Sequence, residues 1–143
     1  MIRKKLLITT LLIAILLASS IQVTGNQNSD TTTLEITDIR GVIFGVTADI
    51  KNTGDVEAEN FTITLSVKGG LLNKINISQE CSGCGNCVTT IPVGKIKSES
   101  TKEAGIIIGF GKINIIVTAE AENADLVTEE ATGFVLGPFI LIK

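Results

Sequence analysis

The sequence contains no histidine, tryptophan or tyrosine, and its five phenylalanines are its only aromatic residues. Histidine is the commonest general base and metal ligand near neutral pH, so its absence removes the usual catalytic and metal-binding arrangements. No serine or threonine stands beside an evident activating partner. The glycines of "GIIIGFG" lack the lysine and the following helix of a phosphate loop. The sequence therefore predicts a protein that is not an enzyme and that needs no cofactor.

The amino-terminal residues combine positive charge with an apolar run. Three basic residues precede an uncharged stretch from Leu6 to Leu17, which is followed by small residues. That order is typical of an export signal. We interpret residues 1–25 as a hydrophobic signal helix, either cleaved or retained as an N-terminal anchor, and residues 26–33 as a flexible polar stalk. The protein is expected outside the cell or at its surface, touching the membrane only through this segment if it is uncleaved.

The charge balance changes when the signal is removed. Residues 1–25 hold three of the twelve basic residues and none of the fifteen acidic ones, so the mature chain carries nine minus fifteen, or −6. Such a surface repels nucleic acid and anionic lipid, so neither is an expected partner. Envelope proteins or glycans are the expected partners. About 120 residues remain, enough for one domain with one core.

Apolar residues in the mature chain recur with a period of two, which indicates half-buried strands. Two segments alternate most clearly, and their predicted buried faces are Val42, Phe44, Val46, Ala48 and Ile50, then Phe61, Ile63, Leu65 and Val67. Further strands are predicted over 74–79, 88–93, 106–110, 112–120 and 126–141, with a polar connection over 94–105 and the last segment as an edge strand. Residues 34–143 are therefore predicted to form an all-β antiparallel sandwich of roughly seven to nine strands.

Three segments resemble a known family. They are "ADIKNTGDVEAENFTITLSVKGG", "GIIIGFGKINIIVTAEAENAD" and "ATGFVLGPFILIK". A strand, an N-x-G-D turn and an alternating strand ending near a glycine are similar to the CARDB-type immunoglobulin-like domains of bacterial and archaeal surface proteins. The similarity is greatest to short archaeal exported proteins with one such domain. The resemblance implies an immunoglobulin-like sandwich of seven strands and a role in the cell envelope.

All three cysteines stand in "ECSGCGNC" at C-x2-C-x2-C spacing. An iron–sulfur cluster of the ferredoxin type needs a fourth thiolate, which the chain lacks. A zinc site formed by Cys81, Cys84 and Cys87 would also need a fourth ligand, and a redox pair would want a helix after its first cysteine. A metal site or a redox pair in this segment remains the alternative to a disulfide.

A disulfide fits the predicted strands better. Cys81 ends one predicted strand and Cys87 begins the next, so we expect them to be bonded across a hairpin loop. Cys84 would then be a free thiol or form an intermolecular disulfide with a second copy of the protein. Pairing of Cys84 with Cys87 is the rival.

Two N-glycosylation sequons are present, at Asn60 and Asn76. Both asparagines are expected to be accessible, one in a turn and one on the polar face of a strand. The sequence as a whole predicts a non-enzymatic secreted or cell-surface module for adhesion, envelope structure, or protein or glycan interaction. The alternative is a small extracellular redox or metal-binding protein that uses the cysteine loop.

Overall fold

A computed structural model describes residues 31–82 and 90–143 of the chain. The described residues form ten strands: β1 Leu34–Val42, β2 Gly45–Asn52, β3 Ala58–Glu59, β4 Thr62–Gly69, β5 Ile75–Ser82, β6 Thr90–Ile91, β7 Ile96–Ser100, β8 Gly109–Ala121, β9 Ala124–Gly137 and β10 Phe139–Ile142. Short 3-10 turns occupy Leu71–Asn73 and Thr101–Glu103. The predicted all-β class is confirmed. The residues predicted to form the signal helix lie outside the described part.

The strands form three antiparallel sheets. The largest has five strands in the order β10-β9-β8-β4-β5, the second has the order β1-β2-β7, and β3 pairs with β6 alone. Side chains from all three sheets join one hydrophobic core, because Ile50 of β2, Leu65 of β4 and Ile91 of β6 belong to the same cluster of buried residues. This layered arrangement is consistent with the predicted sandwich.

The period of two is reproduced where one face of a strand meets this core. Ile63, Leu65 and Val67 of β4 are buried while the residues between them are only partly covered. Val46, Ala48 and Ile50 of β2 are likewise buried, as predicted. The carboxyl-terminal segment over 126–141 is not one edge strand as predicted but a hairpin, in which β9 lies inside the five-stranded sheet and only β10 is at its edge.

The predicted strand over 42–50 is wrong at its beginning. Residues 43 and 44 form a turn between β1 and β2, and Val42 pairs with Gly45 across it. Phe44 has a positive φ of 68° and is 37% exposed, so it does not belong to the buried face. The turn residues Ile43 and Phe44 are apolar, and Phe44 alternates in register with Val42 and Val46. The sequence pattern therefore predicts one continuous strand.

Two other predicted elements are also wrong. The apolar stretch over 106–110 is not a strand in its first half: β8 begins at Gly109, and of the three isoleucines only Ile107 is buried. The polar connection over 94–105 instead contains β7, which pairs with β2. A polar sequence is sufficient there, because β7 lies at the edge of its sheet and packs only part of its surface against the core.

Candidate functional site

The two ends of the domain differ in chemistry. Four connections meet at one end: residues 43–44, 70–74, 101–108 and 138. Fourteen large hydrophobic residues in the described part of the chain are exposed. Ten of them lie in these four connections or in the strand residues beside them. We call this surface the apolar end, and its ten residues are Ile43, Phe44, Leu71, Leu72, Ile106, Ile108, Phe110, Leu136, Phe139 and Leu141.

Backbone hydrogen bonds hold these connections together. The N–H of Phe44 donates to the carbonyl of Pro138 at 2.8 Å, and the N–H of Ile107 donates to the carbonyl of Phe44 at 2.8 Å. The N–H of Gly70 donates to the carbonyl of Lys112 at 2.7 Å. The exposed apolar side chains are therefore carried by turns that are bonded to one another across the two sheets.

Aromatic side chains extend the apolar end onto the outer face of the five-stranded sheet. Phe139, Leu136 and Phe110 are register neighbours on β10, β9 and β8. The rings of Phe110 and Phe134 meet edge to face, with centroids 5.0 Å apart and planes 87° apart. A hollow of about 470 Å³ lies beside Phe134 and is lined mainly by apolar surface and by two lysines, Lys112 and Lys143.

Two of the exposed side chains sit on unfavourable backbone. Leu72 has φ 59° and is 78% exposed, and Phe44 has φ 68°. Bulky residues seldom adopt this left-handed region, because Cβ approaches the following carbonyl oxygen. Leu72 gains little burial that would offset this cost, whereas Phe44 is partly covered. Strained backbone of this kind is found more often at binding surfaces than elsewhere.

Lysines surround the apolar end. Lys68 and Lys74 lie on either side of the turn between β4 and β5. Lys102 lies in the second 3-10 turn, and Lys112 is the fourth residue of β8. All four are exposed, and none forms an ion pair within residues 31–82 and 90–143. The end therefore combines apolar side chains with an excess of positive charge, four lysines against one carboxylate residue, Glu103.

The opposite end carries negative charge. It comprises β3 with the connections on both sides of it, and the turn between β8 and β9 with the strand ends beside it. Six exposed carboxylates lie there, and we call this surface the acidic end: Asp55, Glu57, Glu59, Glu120, Glu122 and Asp125. The chain enters the described domain at this end, where the N–H of Thr32 donates to the carbonyl of Asn123 at 2.8 Å.

A buried asparagine organises the acidic end. The side chain of Asn52 is completely buried; its Nδ2 donates to the carbonyls of Val56 and Ile91, both at 2.8 Å. Its Oδ1 accepts from the hydroxyl of Thr32 at 2.7 Å and from the N–H of Gly54 at 3.0 Å. Every donor and acceptor of the amide is thus used, which gives the first residue of the N-x-G-D turn a structural role.

Arg40 and Asp49 form the main ion-pair site in the described chain. Arg40 contacts Asp49 through Nη1 at 2.5 Å and Nη2 at 3.2 Å, and it contacts Asp38 at 2.7 Å. Hydrogen bonding from Arg40, assisted by the hydroxyl of Ser98, lowers the pKa of Asp49. The carboxylates raise the pKa of Arg40 in turn. The group is fully paired across the adjacent strands β1 and β2, so we assign it a structural role.

Of the three cysteines, the structure describes only Cys81. Cys81 lies in β5 opposite Ile63, is 2% exposed, and is not a free thiol. Cys84 and Cys87 lie outside the described residues. The expected hairpin is not observed, because β5 pairs with β4 while β6 pairs with β3. The cysteine segment therefore joins two different sheets, and the pairing of Cys81 with Cys87 stays a prediction.

Both sequon asparagines are exposed. Asn60 lies at the acidic end with φ 49°, and its Nδ2 donates to the carboxylate of Glu122. Asn76 lies on β5 opposite Lys68. Exposure is a requirement for glycan attachment, and both sites satisfy it.

Within the described ranges, no group of three or more His, Cys, Asp or Glu side chains is placed to hold a metal ion. The same residues contain no helix that is long and apolar enough to cross a membrane. No family model matches the chain, and no curated protein matches it significantly. The resemblance to immunoglobulin-like surface domains is therefore left without independent support.

The apolar end was not identified from the sequence, although a signal for it was present. Four connections each carry adjacent or alternating apolar residues where turns are usually polar: "IF", "LL", "IIIGF" and "LGPF". Apolar turns of this kind on a single chain indicate a surface that is covered by something other than the protein's own core. Their meeting at one end depends on strand pairing, which the residue pattern alone did not provide.

Proposed function

We propose that the protein is a non-enzymatic module of the cell envelope, exported to the cell surface or beyond, that works by binding through its apolar end. The observation that carries the proposal is the concentration of ten exposed large hydrophobic residues at one end of a small domain. Exposed apolar patches of this extent are typical of interaction surfaces, since they cost solubility without adding to the core.

The remainder of the domain supports a binding role. At the acidic end the buried amide of Asn52 is fully used in internal hydrogen bonds, and the charged group of Arg40 is paired. The apolar end, in contrast, has strained backbone at Leu72 and lysines without ion pairs. Adhesion to other envelope components is the function that fits such a surface, and an immunoglobulin-like fold of the CARDB type would be a suitable scaffold for it.

The cysteine segment is assigned a supporting role in this proposal. A disulfide between Cys81 and Cys87 would join the edge of the five-stranded sheet to the β3–β6 sheet and limit the freedom of the segment between them. Cys84 would remain for contact with a second molecule. Intact mass of the exported protein, before and after reduction and alkylation, tests these assignments together with signal cleavage and glycans at Asn60 and Asn76. Stoichiometric metal, or visible absorbance, would favour the alternative redox or metal-binding function instead.

The proposal is tested by binding to isolated cell envelopes. Residues 26–143, which contain the complete core from Leu34 to Ile140, are labelled and pelleted with the envelopes. We expect Ile106→Thr to reduce the bound fraction about fivefold, because Ile106 is 64% exposed at the apolar end and loses most of its apolar surface.

The matched control is Ile96→Thr, which makes the same chemical change at a similarly exposed residue near the acidic end. Its bound fraction should stay within about twofold of the unmodified protein, as expected for a surface residue outside the contact. Equal losses for the two variants, or no binding of the unmodified protein, would contradict the proposal.

A further inference from the structure

The lysines of the apolar end limit what can cover it. Lys68, Lys74, Lys102 and Lys112 are exposed around the apolar side chains, and none of them is paired within the described residues. If two copies met through this end, eight ammonium groups would be brought together around the rim of the contact. Like charges so placed cost free energy that the apolar contact would have to offset. A partner with negative charge around an apolar interior fits better.

An anionic lipid surface has this chemistry. Its phosphate groups attract lysines, and the acyl region below them accepts leucine, isoleucine and phenylalanine side chains. Lysine is suited to the boundary, because its apolar stem can follow neighbouring apolar side chains while its ammonium group remains among the phosphates. We propose that the apolar end docks on the surface of an anionic lipid bilayer, with the exposed apolar side chains of residues 43–44, 71–72, 106, 108 and 110 entering the headgroup region.

The distribution of charge supports this orientation. The protein has a net negative charge, which on its own opposes binding to anionic lipid. The six carboxylates of the acidic end, however, lie at the far end of β8 from the apolar end. A strand of 13 residues spans roughly 40 Å, which is several Debye lengths at physiological ionic strength. Screening therefore leaves the four lysines, with Glu103 of the 3-10 turn that carries Lys102, as the charged residues at this end, an excess of positive charge.

Two exposed leucines form the leading edge of the docking surface. Leu71 and Leu72 are 65% and 78% exposed, and the turn that carries them is fixed by the hydrogen bond from Gly70 to Lys112. The left-handed backbone of Leu72 would suit glycine or asparagine better, so a leucine there is retained at a cost to the fold. Insertion into the acyl boundary would give that side chain the apolar surroundings that the protein does not provide.

The chain enters the described domain at the end opposite the docking surface. Thr32 is bonded to Asn123 and Asn52 at the acidic end, so the first described residues lie far from the apolar end. The docking is therefore proposed for the domain itself and does not involve the chain entry.

The test is co-sedimentation of residues 26–143 with vesicles. One set contains equal parts phosphatidylglycerol and phosphatidylcholine, and the other contains phosphatidylcholine alone. We expect binding to the anionic vesicles that falls at least tenfold between low salt and about 0.5 M salt, because screening weakens the lysine contribution. Binding to the neutral vesicles should be at least tenfold weaker.

Two pairs of variants locate the contact. Leu71→Ser with Leu72→Asn should reduce anionic-vesicle binding at least tenfold, and asparagine suits the backbone at position 72, so the fold is retained. Lys74→Glu with Lys102→Glu should have at least the same effect. The controls Leu126→Thr and Lys95→Glu make the same kinds of change near the acidic end, and each should stay within about twofold of the unmodified protein.

This inference rests on the proposed function, but the two can fail separately. Binding to lipid-extracted envelopes that equals binding to intact ones, without any binding to vesicles, would overturn the lipid docking and leave the envelope module. Absence of binding to either would overturn both. A dimer in solution that Leu72→Asn dissociates would also overturn the lipid docking, because the apolar end would then be covered by a second copy.

Discussion

Asn52 is the residue on which the acidic end depends most. Its amide uses all of its hydrogen-bonding capacity on four partners from the chain entry, the N-x-G-D turn and β6. Gly54 is required beside it, because a Cβ at this position would lie 2.1 Å from the hydroxyl of Thr32. The sequence predicted a turn here, and the structure gives the reason: a buried amide replaces the missing backbone partners of three segments.

Replacing Asn52 with alanine tests this role. We expect the free energy of unfolding to fall by about 3 kcal/mol, because Val56 and Ile91 would keep buried carbonyls without donors. Urea denaturation provides the measurement. Asn114→Ala is the control, since Asn114 is exposed on β8, and its effect should be about 0.5 kcal/mol or less. Similar losses for both variants would show that the Asn52 network does not organise the fold.

Arg40 makes stability depend on pH. The arginine lowers the pKa of Asp49 in the folded protein, so the ionised carboxylate stabilises the fold at pH values above its unfolded pKa. That contribution is lost as the pH falls through the folded pKa. We expect Arg40→Gln to lower the melting temperature at pH 7 more than it does in acid, at a pH below the folded pKa of Asp49.

The control for this prediction is Lys51→Gln, which removes one positive charge from β2 without removing an ion pair of Asp49. Its effect on the melting temperature should be small at both pH values. If Arg40→Gln and Lys51→Gln show the same pH dependence, net charge rather than the Arg40–Asp49 pair governs acid stability.

At the scale of single elements, the turn over residues 70–74 places an exposed leucine on a backbone conformation that lowers stability. Leu72 has a left-handed backbone that asparagine tolerates well. We therefore expect Leu72→Asn to increase the free energy of unfolding by about 0.5–1 kcal/mol while weakening binding. Urea denaturation and envelope pelleting measure the two effects on the same sample.

Leu71→Asn is the matched change in the same turn. Leu71 is also exposed, but its φ is not positive, so asparagine should bring no gain in stability. The two variants should weaken binding alike and differ in stability. A destabilised Leu72→Asn protein would mean that the leucine contributes to the fold, and the strain argument for this turn would then be incorrect.

The strands also explain how far the sequence could predict the fold. Alternation identified the buried faces of β2 and β4, because each strand meets the core on one side only. The stretch over 106–110 was misread, since a short apolar run signals core in most proteins, whereas here Ile106 and Ile108 face solvent. Local patterns are expected to mislead where residues serve binding instead of packing.

At the scale of the whole molecule, the distribution of charge matters more than its sum. The net charge indicated a surface that repels anionic partners. The structure separates six carboxylates at one end from four lysines and ten exposed hydrophobic residues at the other. Strand order places these groups, and strand order depends on contacts between residues far apart in the chain. For this reason the sequence alone could not predict that these residues form one surface, although each of them is visible in it as an apolar or basic residue.

The central claim is that the apolar end is the surface through which the protein binds. Hydrogen–deuterium exchange of residues 26–143, free and bound to isolated envelopes, tests this most directly because it maps the contact without any substitution. We predict slower exchange on binding in the turns over 43–44, 70–74 and 104–110, and unchanged exchange over 53–60 and 121–126. Protection that is confined to the acidic end, or to the segment containing the cysteines, would contradict the account.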